Sequence, residues 1–142
     1  MDNKLKHLEF IQGVVNRLAS ASFHMKGWSV VLVSALLVVS ARASSFELNL
    51  VALVPVLVFW GLDGYFLSRE RLFRDLYDIV RRRDEEDIDF SMDVGKLKST
   101  GGFWSSDWCS AVRSRTLWPF YGMLALLAVL ATVILPRVGG AE

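Results

Sequence analysis

Three apolar runs alternate with charged segments along the chain. The last run, residues 116–136, has 21 residues without a charge. As a helix it would be about 31 Å long, which matches the hydrocarbon thickness of a bilayer. The second run, residues 48–68, is interrupted only by Asp63. The first run, residues 27–41, is shorter, but Lys26 can extend it by snorkelling to the interface. The pattern therefore predicts three transmembrane helices.

A buried helix of a soluble protein would also produce an apolar run. Three such runs within 142 residues, 53% of them apolar, would leave too little polar surface to cover them. The first run is not typical of a removable signal peptide, because it starts late and follows a stretch with charges of both signs. We therefore expect an all-α integral membrane protein.

The segment before the first run has apolar residues at helical spacing, at positions 5, 8, 11, 15 and 18. This predicts an N-terminal amphipathic helix, which either lies among lipid headgroups or packs on the rest of the protein. The short turn after the first run predicts that the first two spans are antiparallel. The predicted segments are the amphipathic helix 1–25, the first span 26–43, the second span with a cytosolic helical extension 48–83, the cytosolic loop and interfacial segment 84–115, the third span 116–136 and the tail 137–142.

The distribution of Lys and Arg predicts the orientation. The N-terminal segment has four basic residues, the first turn has only Arg42, the connection between the second and third spans has ten, and the tail has only Arg137. This alternation predicts a multi-pass protein of a bacterial inner membrane, with a cytosolic N-terminus and an external C-terminus.

The second helix continues from the apolar run into a charged extension. Glu70 and Arg74 form an acid-before-base pair at i,i+4, which favours the helix. An aromatic stripe on the same helix needs a partner, which is another copy of the chain, the N-terminal helix or another protein. We expect homo-oligomerisation through this surface. The candidate assembly residues are Phe59, Phe66, Phe73, Tyr77, Glu70 and Arg74.

The extension ends in a basic block followed by an acidic block. Arg81, Arg82 and Arg83 are candidate contacts for anionic lipid headgroups. The acidic residues that follow are typical of a solvated helix end or loop.

Asp63 allows two interpretations. Its position predicts a place in the inner leaflet, where a carboxylate costs less than at the bilayer centre. In the first interpretation it is structural, and it reaches interfacial water or pairs with Arg69 or with a residue of another span. In the second it belongs to a ring of carboxylates, one per subunit, at the mouth of an oligomeric pore.

The chain lacks the sequence signatures of most enzymes and nucleic-acid-binding proteins. No run matches a nucleotide-binding loop, a dinucleotide fingerprint, a nucleophile elbow or a metalloprotease helix. His7, His24 and the single Cys109 have no metal-ligand spacing. We therefore expect no catalytic residues, cofactor or metal, and with a net charge of +1 we expect no nucleic-acid partner.

A set of short motifs lies within residues 8–93: Lys26-Gly27-Trp28, Pro55-Val56, Phe59-Trp60, Leu62-Asp63, Tyr65, Glu70-Arg71-Leu72-Phe73-Arg74 and Leu76-Tyr77-Asp78. Together these motifs resemble a family of small, poorly characterised bacterial membrane proteins. The resemblance implies a membrane location and relates the chain to small multi-span proteins of bacterial defence-type operons. It supplies no catalytic residues.

Two functions follow from these expectations. The first is an oligomeric inner-membrane effector that permeabilises or depolarises the membrane, in anti-phage defence, with the lipid bilayer and other copies of the chain as partners. The alternative is a non-conducting membrane adaptor or scaffold, which recruits a cytosolic protein partner through its charged helix.

Overall fold

A computed structural model describes residues 2–43, 50–95 and 106–139. Over these residues the chain forms four α-helices and a short 3-10 helix, with no strand, so the prediction of an all-α protein is confirmed. The predicted turn after the first span, residues 96–105 of the predicted loop and residues 140–142 of the predicted tail lie outside the described residues.

Helix α1 spans Asp2–Ala43 without interruption and contains 42 residues. This length corresponds to about 63 Å at 1.5 Å per residue. The predicted division between segments 1–25 and 26–43 falls inside this helix. The change there is one of composition only, since no proline interrupts the backbone hydrogen bonds. One face is buried at intervals that follow the helical repeat, and its members are His7, Ile11, Val15, Ser22, Ser29, Val33 and Ser40.

Helix α2 spans Leu53–Arg82 and is antiparallel to α1. Pro55 is accommodated in its first turn, where a missing N–H costs nothing. Arg83 is extended, and its amide donates to the carbonyl of Val80, which closes the last turn. A 3-10 helix, Glu85–Asp87, follows.

Helices α3 (Ser106–Val112) and α4 (Leu117–Gly139) complete the fold. The hydroxyl of Ser114 accepts a hydrogen bond from the amide of Leu117 at 3.3 Å and thereby satisfies one of the free N–H groups at the start of α4. Pro119 lies in the first turn of α4, where a proline is tolerated.

Two apolar clusters hold the helices together, one at each end of the α1–α2 pair. The first contains Val33 of α1, Val56 of α2, and Leu117, Tyr121, Leu124 and Ala128 of α4. The second contains Ile11 and Val15 of α1 and Leu76 and Val80 of α2. We call the part around the second cluster, residues 2–25 and 69–82, the stem. Residues 26–43 and 53–68 together with α4 form the apolar half.

Large apolar side chains cover the outside of the apolar half. Among the described residues one helix, Asn3–Arg42, is long and apolar enough to cross a membrane, and Leu117–Ala131 is a shorter apolar helix. Only 11% of the most apolar window of the long helix is buried inside the chain. This is compatible with a membrane protein. The exposed residues include Val30, Val31, Val38, Val39, Val54, Leu57, Val58, Leu126, Leu127, Leu130 and Val133.

Candidate functional site

Asp63 is fully buried where α1, α2 and α4 meet, with 0% of the residue exposed. Its Oδ2 lies 2.5 Å from Nζ of Lys26 on α1. The Lys26 side chain is 21% exposed, so the ammonium is close to the surface while the carboxylate is inside. The pair is therefore a charge contact between two helices, enclosed within one chain.

Two hydroxyl groups complete the shell of the carboxylate. Ser22 on α1 donates to Oδ1 of Asp63, and Tyr121 on α4 donates to Oδ2 at 3.2 Å. Lys26 also donates to the Ser22 hydroxyl at 2.9 Å, which orients that hydroxyl towards Asp63. The carboxylate thus has three donors, one of them charged. This is the arrangement that a buried ion pair needs to repay the loss of its hydration.

The sequence of α1 places its contributing side chains on one face. Ser22, Lys26 and Ser29 follow at intervals of four and three, so they line the same side of the helix. Ser29 is buried and donates to the carbonyl of Lys26 at 2.8 Å. Because serines are small, they let the α2 backbone approach closely and still supply hydrogen bonds.

The cluster lies at the same end of all three apolar segments. Lys26 comes directly before the first run, Asp63 lies near the charged end of the second, and Tyr121 lies near the start of the third. Since these three side chains touch, the corresponding ends of the three segments are aligned. The cluster therefore marks one boundary of the apolar half.

Two tryptophan side chains form hydrogen bonds between α2 and α3 beside the Asp63 cluster. Nε1 of Trp60 donates to the carbonyl of Val112 at 2.9 Å, and Nε1 of Trp108 donates to the carbonyl of Gly61 at 3.1 Å. A Cβ atom at Gly64 would overlap the Val112 side chain and come within 3.4 Å of its Cα. The glycine is therefore required here by the close approach of α3.

The ring of Tyr121 contacts a tryptophan of α2. It stacks on Trp60 with centroids 6.2 Å apart and an interplanar angle of 12°. This stack thus connects the residues around Asp63 to Trp60, one of the two tryptophans that hydrogen-bond α3 to α2.

Arg69, an expected partner of Asp63, makes other contacts. Its Nε donates to the Tyr65 hydroxyl at 3.3 Å, and its guanidinium lies 5.3 Å from the centre of the Tyr65 ring. Asp63 pairs instead with Lys26, a residue of another helix.

The predicted aromatic stripe is used inside the chain. Phe73 and Tyr77 pack against the Ile11 cluster, so their partner is the N-terminal part of α1. Phe59 packs on the apolar cluster around Tyr121. Phe66 is half-buried and meets the neighbouring Tyr65 edge-on.

Glu70 and Arg74 form the predicted pair, at 2.6 Å between Oε1 and Nη2. Glu70 is buried and Arg74 is 64% exposed by side chain. The Glu70 carboxylate is therefore not part of an exposed assembly surface.

The arginines at the end of α2 are exposed and lie at the tip of the stem. Arg81 is 18 positions beyond Asp63, or about 27 Å along a helix. Arg83 is 3.7 Å from Asp89, and its carbonyl accepts a hydrogen bond from Lys4. If Asp63 lies near a boundary of the bilayer, the arginines contact the lipid headgroups only when the stem lies along the membrane surface.

The sequence predictions missed Lys26, Ser22 and Tyr121. A usable signal was present for Lys26, because it and Asp63 lie at similar distances from the predicted turn and an antiparallel pair brings such residues to nearly one level. For Ser22 and Tyr121 the chain offers no comparable signal, since the apolar pattern of their helices does not distinguish either hydroxyl group.

The chemistry of the cluster is that of an ion pair with satisfied hydrogen bonds. Over the described ranges, no group of three or more His, Cys, Asp or Glu side chains could hold a metal ion. Removing the Lys26 charge would leave the Asp63 carboxylate buried without a charged partner, at a cost of about 3–5 kcal/mol. The Lys26–Asp63 pair and the Tyr121 hydroxyl can therefore together hold the three helices in one arrangement.

No protein-family model, curated protein or solved structure matches the chain. The functional conclusion consequently rests on its own residues.

Proposed function

We propose that the chain is an oligomeric inner-membrane effector with three transmembrane helices, and that the Lys26–Asp63 pair holds its closed form. Opening would permeabilise or depolarise the membrane. The observation that carries this proposal is the buried, fully hydrogen-bonded ion pair between α1 and α2.

Three spans are supported by the exposed apolar side chains on α1, α2 and α4, which are too extensive for a water-facing surface. They are also supported by the alignment of the apolar segments at the polar cluster. With the basic residues of the stem on the cytosolic side, that cluster lies at the inner boundary and the stem extends into the cytosol.

An effector is favoured over a plain anchor because an anchor has no need of a charge inside its spans. Ionisable residues in transmembrane helices are costly and are commonly found where ions or substrates pass. In the closed form Asp63 and Lys26 neutralise each other within one chain. Separating them would give each copy a free carboxylate at the mouth of a shared pathway, which is how the predicted ring of carboxylates would form.

Assembly of several copies is required, because three helices cannot enclose a wide pathway. Phe73 and Tyr77 of the stem are already packed on α1. Contacts between copies would therefore use the exposed faces of the apolar half. The resemblance to proteins of defence-type operons agrees with an effector role in anti-phage defence.

A membrane-potential dye in cells that express the chain tests this function. We expect Lys26→Met and Asp63→Asn to depolarise the membrane without a trigger, while the parent chain stays silent at rest. The exchange Lys26→Asp/Asp63→Lys restores the pair and is expected to restore silence. Asp78→Asn is the matched control, since Asp78 is an exposed carboxylate on the same helix.

The result that contradicts the effector function is a normal membrane potential in both single variants when they are present in the membrane at the parental level. That result would favour the second candidate, a non-conducting adaptor. The observation in favour of the adaptor is that α2 continues beyond the cluster with exposed charges, at Arg71, Asp75 and Asp78, where a cytosolic protein can bind.

A further inference from the structure

An extended segment, residues 88–94, lies across the tip of the stem, and we call it the strap. Its apolar residues alternate with polar ones. Ile88, Met92 and Val94 pack against the cluster around Ile11 and Leu76. The strap therefore covers the apolar groove between the ends of α1 and α2.

The backbone of the strap is supported mainly by its own polar side chains. Asp89 accepts a hydrogen bond from the amide of Ser91, Ser91 from the amide of Asp93, and Asp93 from the amide of Gly95. These are local turns within the strap. The strap contacts the stem through its apolar side chains and through His7, and Asp89 lies 3.7 Å from Arg83 at the end of α2.

His7 on α1 makes the polar contact to the strap. The residue is 1% exposed, and its Nε2 lies 3.2 Å from the carbonyl oxygen of Ser91. Because a carbonyl oxygen only accepts, Nε2 carries the proton. The neutral ring then has a bare Nδ1, and within the described part of the chain this atom has no hydrogen-bond partner.

Two further features of the strap are a strained residue and a cavity beside it. Phe90, which meets the His7 ring at 5.4 Å between centroids, has a φ of 52°, a left-handed conformation that is strained for a phenylalanine. A cavity of about 180 Å³ also remains beside the strap. Its lining includes Leu76, Ile79 and Val80 of α2 and Asp89, Ser91 and Asp93 of the strap.

We propose that the strap is a pH-sensitive latch, closed over the stem when His7 is neutral and released when His7 is protonated. Protonation would place a charge in a fully buried ring and add an N–H at Nδ1 where no acceptor is available, and both changes oppose the closed form.

Among the charged groups near His7, the Asp89 carboxylate of the strap attracts an imidazolium, but it is shared with Arg83, which lies 3.7 Å away at the end of α2. The Ser91 amide holds the pKa of Asp89 below its usual range, and Arg83 acts in the same direction. A lowered carboxyl pKa supports the fold above that pKa and loses its effect only in more acidic solution, so Asp89 does not titrate between pH 5 and 8.

Hydrogen–deuterium exchange of the full chain in lipid nanodiscs tests the latch. Histidine changes its charge between about pH 5 and 8, so protection of peptides covering residues 88–94 is followed across that range. We expect protection, corrected for the intrinsic pH dependence of exchange, to fall at least about tenfold on acidification. A peptide from the apolar half serves as the internal reference.

The two histidines of the chain provide a matched comparison. His7→Gln keeps an N–H donor and His7→Phe keeps an aromatic ring, and neither can be protonated, so we expect the strap to stay protected throughout in both. His24 is exposed on the same helix, and His24→Gln is expected to retain the acid step. A constant protection in the parent chain, an acid step that persists in both His7 variants, or a strap open at every pH in both would overturn the proposal.

Discussion

The stem and the apolar half use different residues along the same α1–α2 pair. In the stem, Ile11 and Val15 pack against Leu76 and Val80, and the polar residues His7, Ser22 and Glu70 are buried beside them. In the apolar half, α1 buries Ser29 and Ser40 beside Val33, and α2 buries Asp63, Gly64 and Ser68 beside Val56. The outward faces of the two parts also differ. The outward face is charged in the stem and apolar beyond Lys26.

In the proposed membrane arrangement, the two parts of the helix pair face different solvents. In water, helices associate because apolar side chains leave the solvent. In lipid that driving force between helices is absent, so they associate through close packing of small residues and through hydrogen bonds. One pair of helices that obeys both rules in turn is the arrangement expected where a helical hairpin leaves a bilayer.

The largest expected effect comes from the stem. Ile11→Ala removes a side chain that is 0% exposed and should lower the free energy of unfolding by about 2–5 kcal/mol. The adjacent Phe10→Ala is the control, because Phe10 is 62% exposed and its removal should change stability by less than about 0.5 kcal/mol. Reversible unfolding of the purified chain in detergent measures both. Equal effects would show that the stem has no apolar seam.

A smaller effect is expected from a glycine of the apolar half. Gly64→Ala should destabilise the chain by about 1–3 kcal/mol, because the new methyl group overlaps Val112 and displaces α3. At Gly13, in contrast, an added Cβ meets nothing within 4 Å. Gly13→Ala should therefore stabilise α1 by about 0.5–1 kcal/mol. The same unfolding measurement applies, and a gain of stability in both variants would contradict the close packing of α3 on α2.

The sequence predicts the helices better than it predicts their contacts. Apolar runs and helical spacing are local properties, and they correctly gave an all-α chain with a long helix through residues 53–82. The predicted segments 1–25 and 26–43 differ in composition, and α1 runs through both of them without a break. Helix hydrogen bonding depends on the backbone and not on what surrounds it.

The candidate site could be predicted only in part. Asp63 was found because a charge in an apolar run is conspicuous, whereas its contact with Lys26 depends on the rotation of two helices about their axes. The packing of Met92 on the stem was missed for a similar reason. A segment read as a solvated loop acquired a buried face only through a distant helix.

The most direct test of the central claim is the side of the membrane on which each end of the α1–α2 pair lies. In a Cys109→Ser background, Arg42→Cys and Asp78→Cys place single thiols at exposed positions at opposite ends of the pair. An impermeant maleimide applied to intact spheroplasts should label position 42 at once and position 78 only after permeabilisation. Equal labelling of the two positions in intact spheroplasts would contradict a hairpin that crosses the membrane.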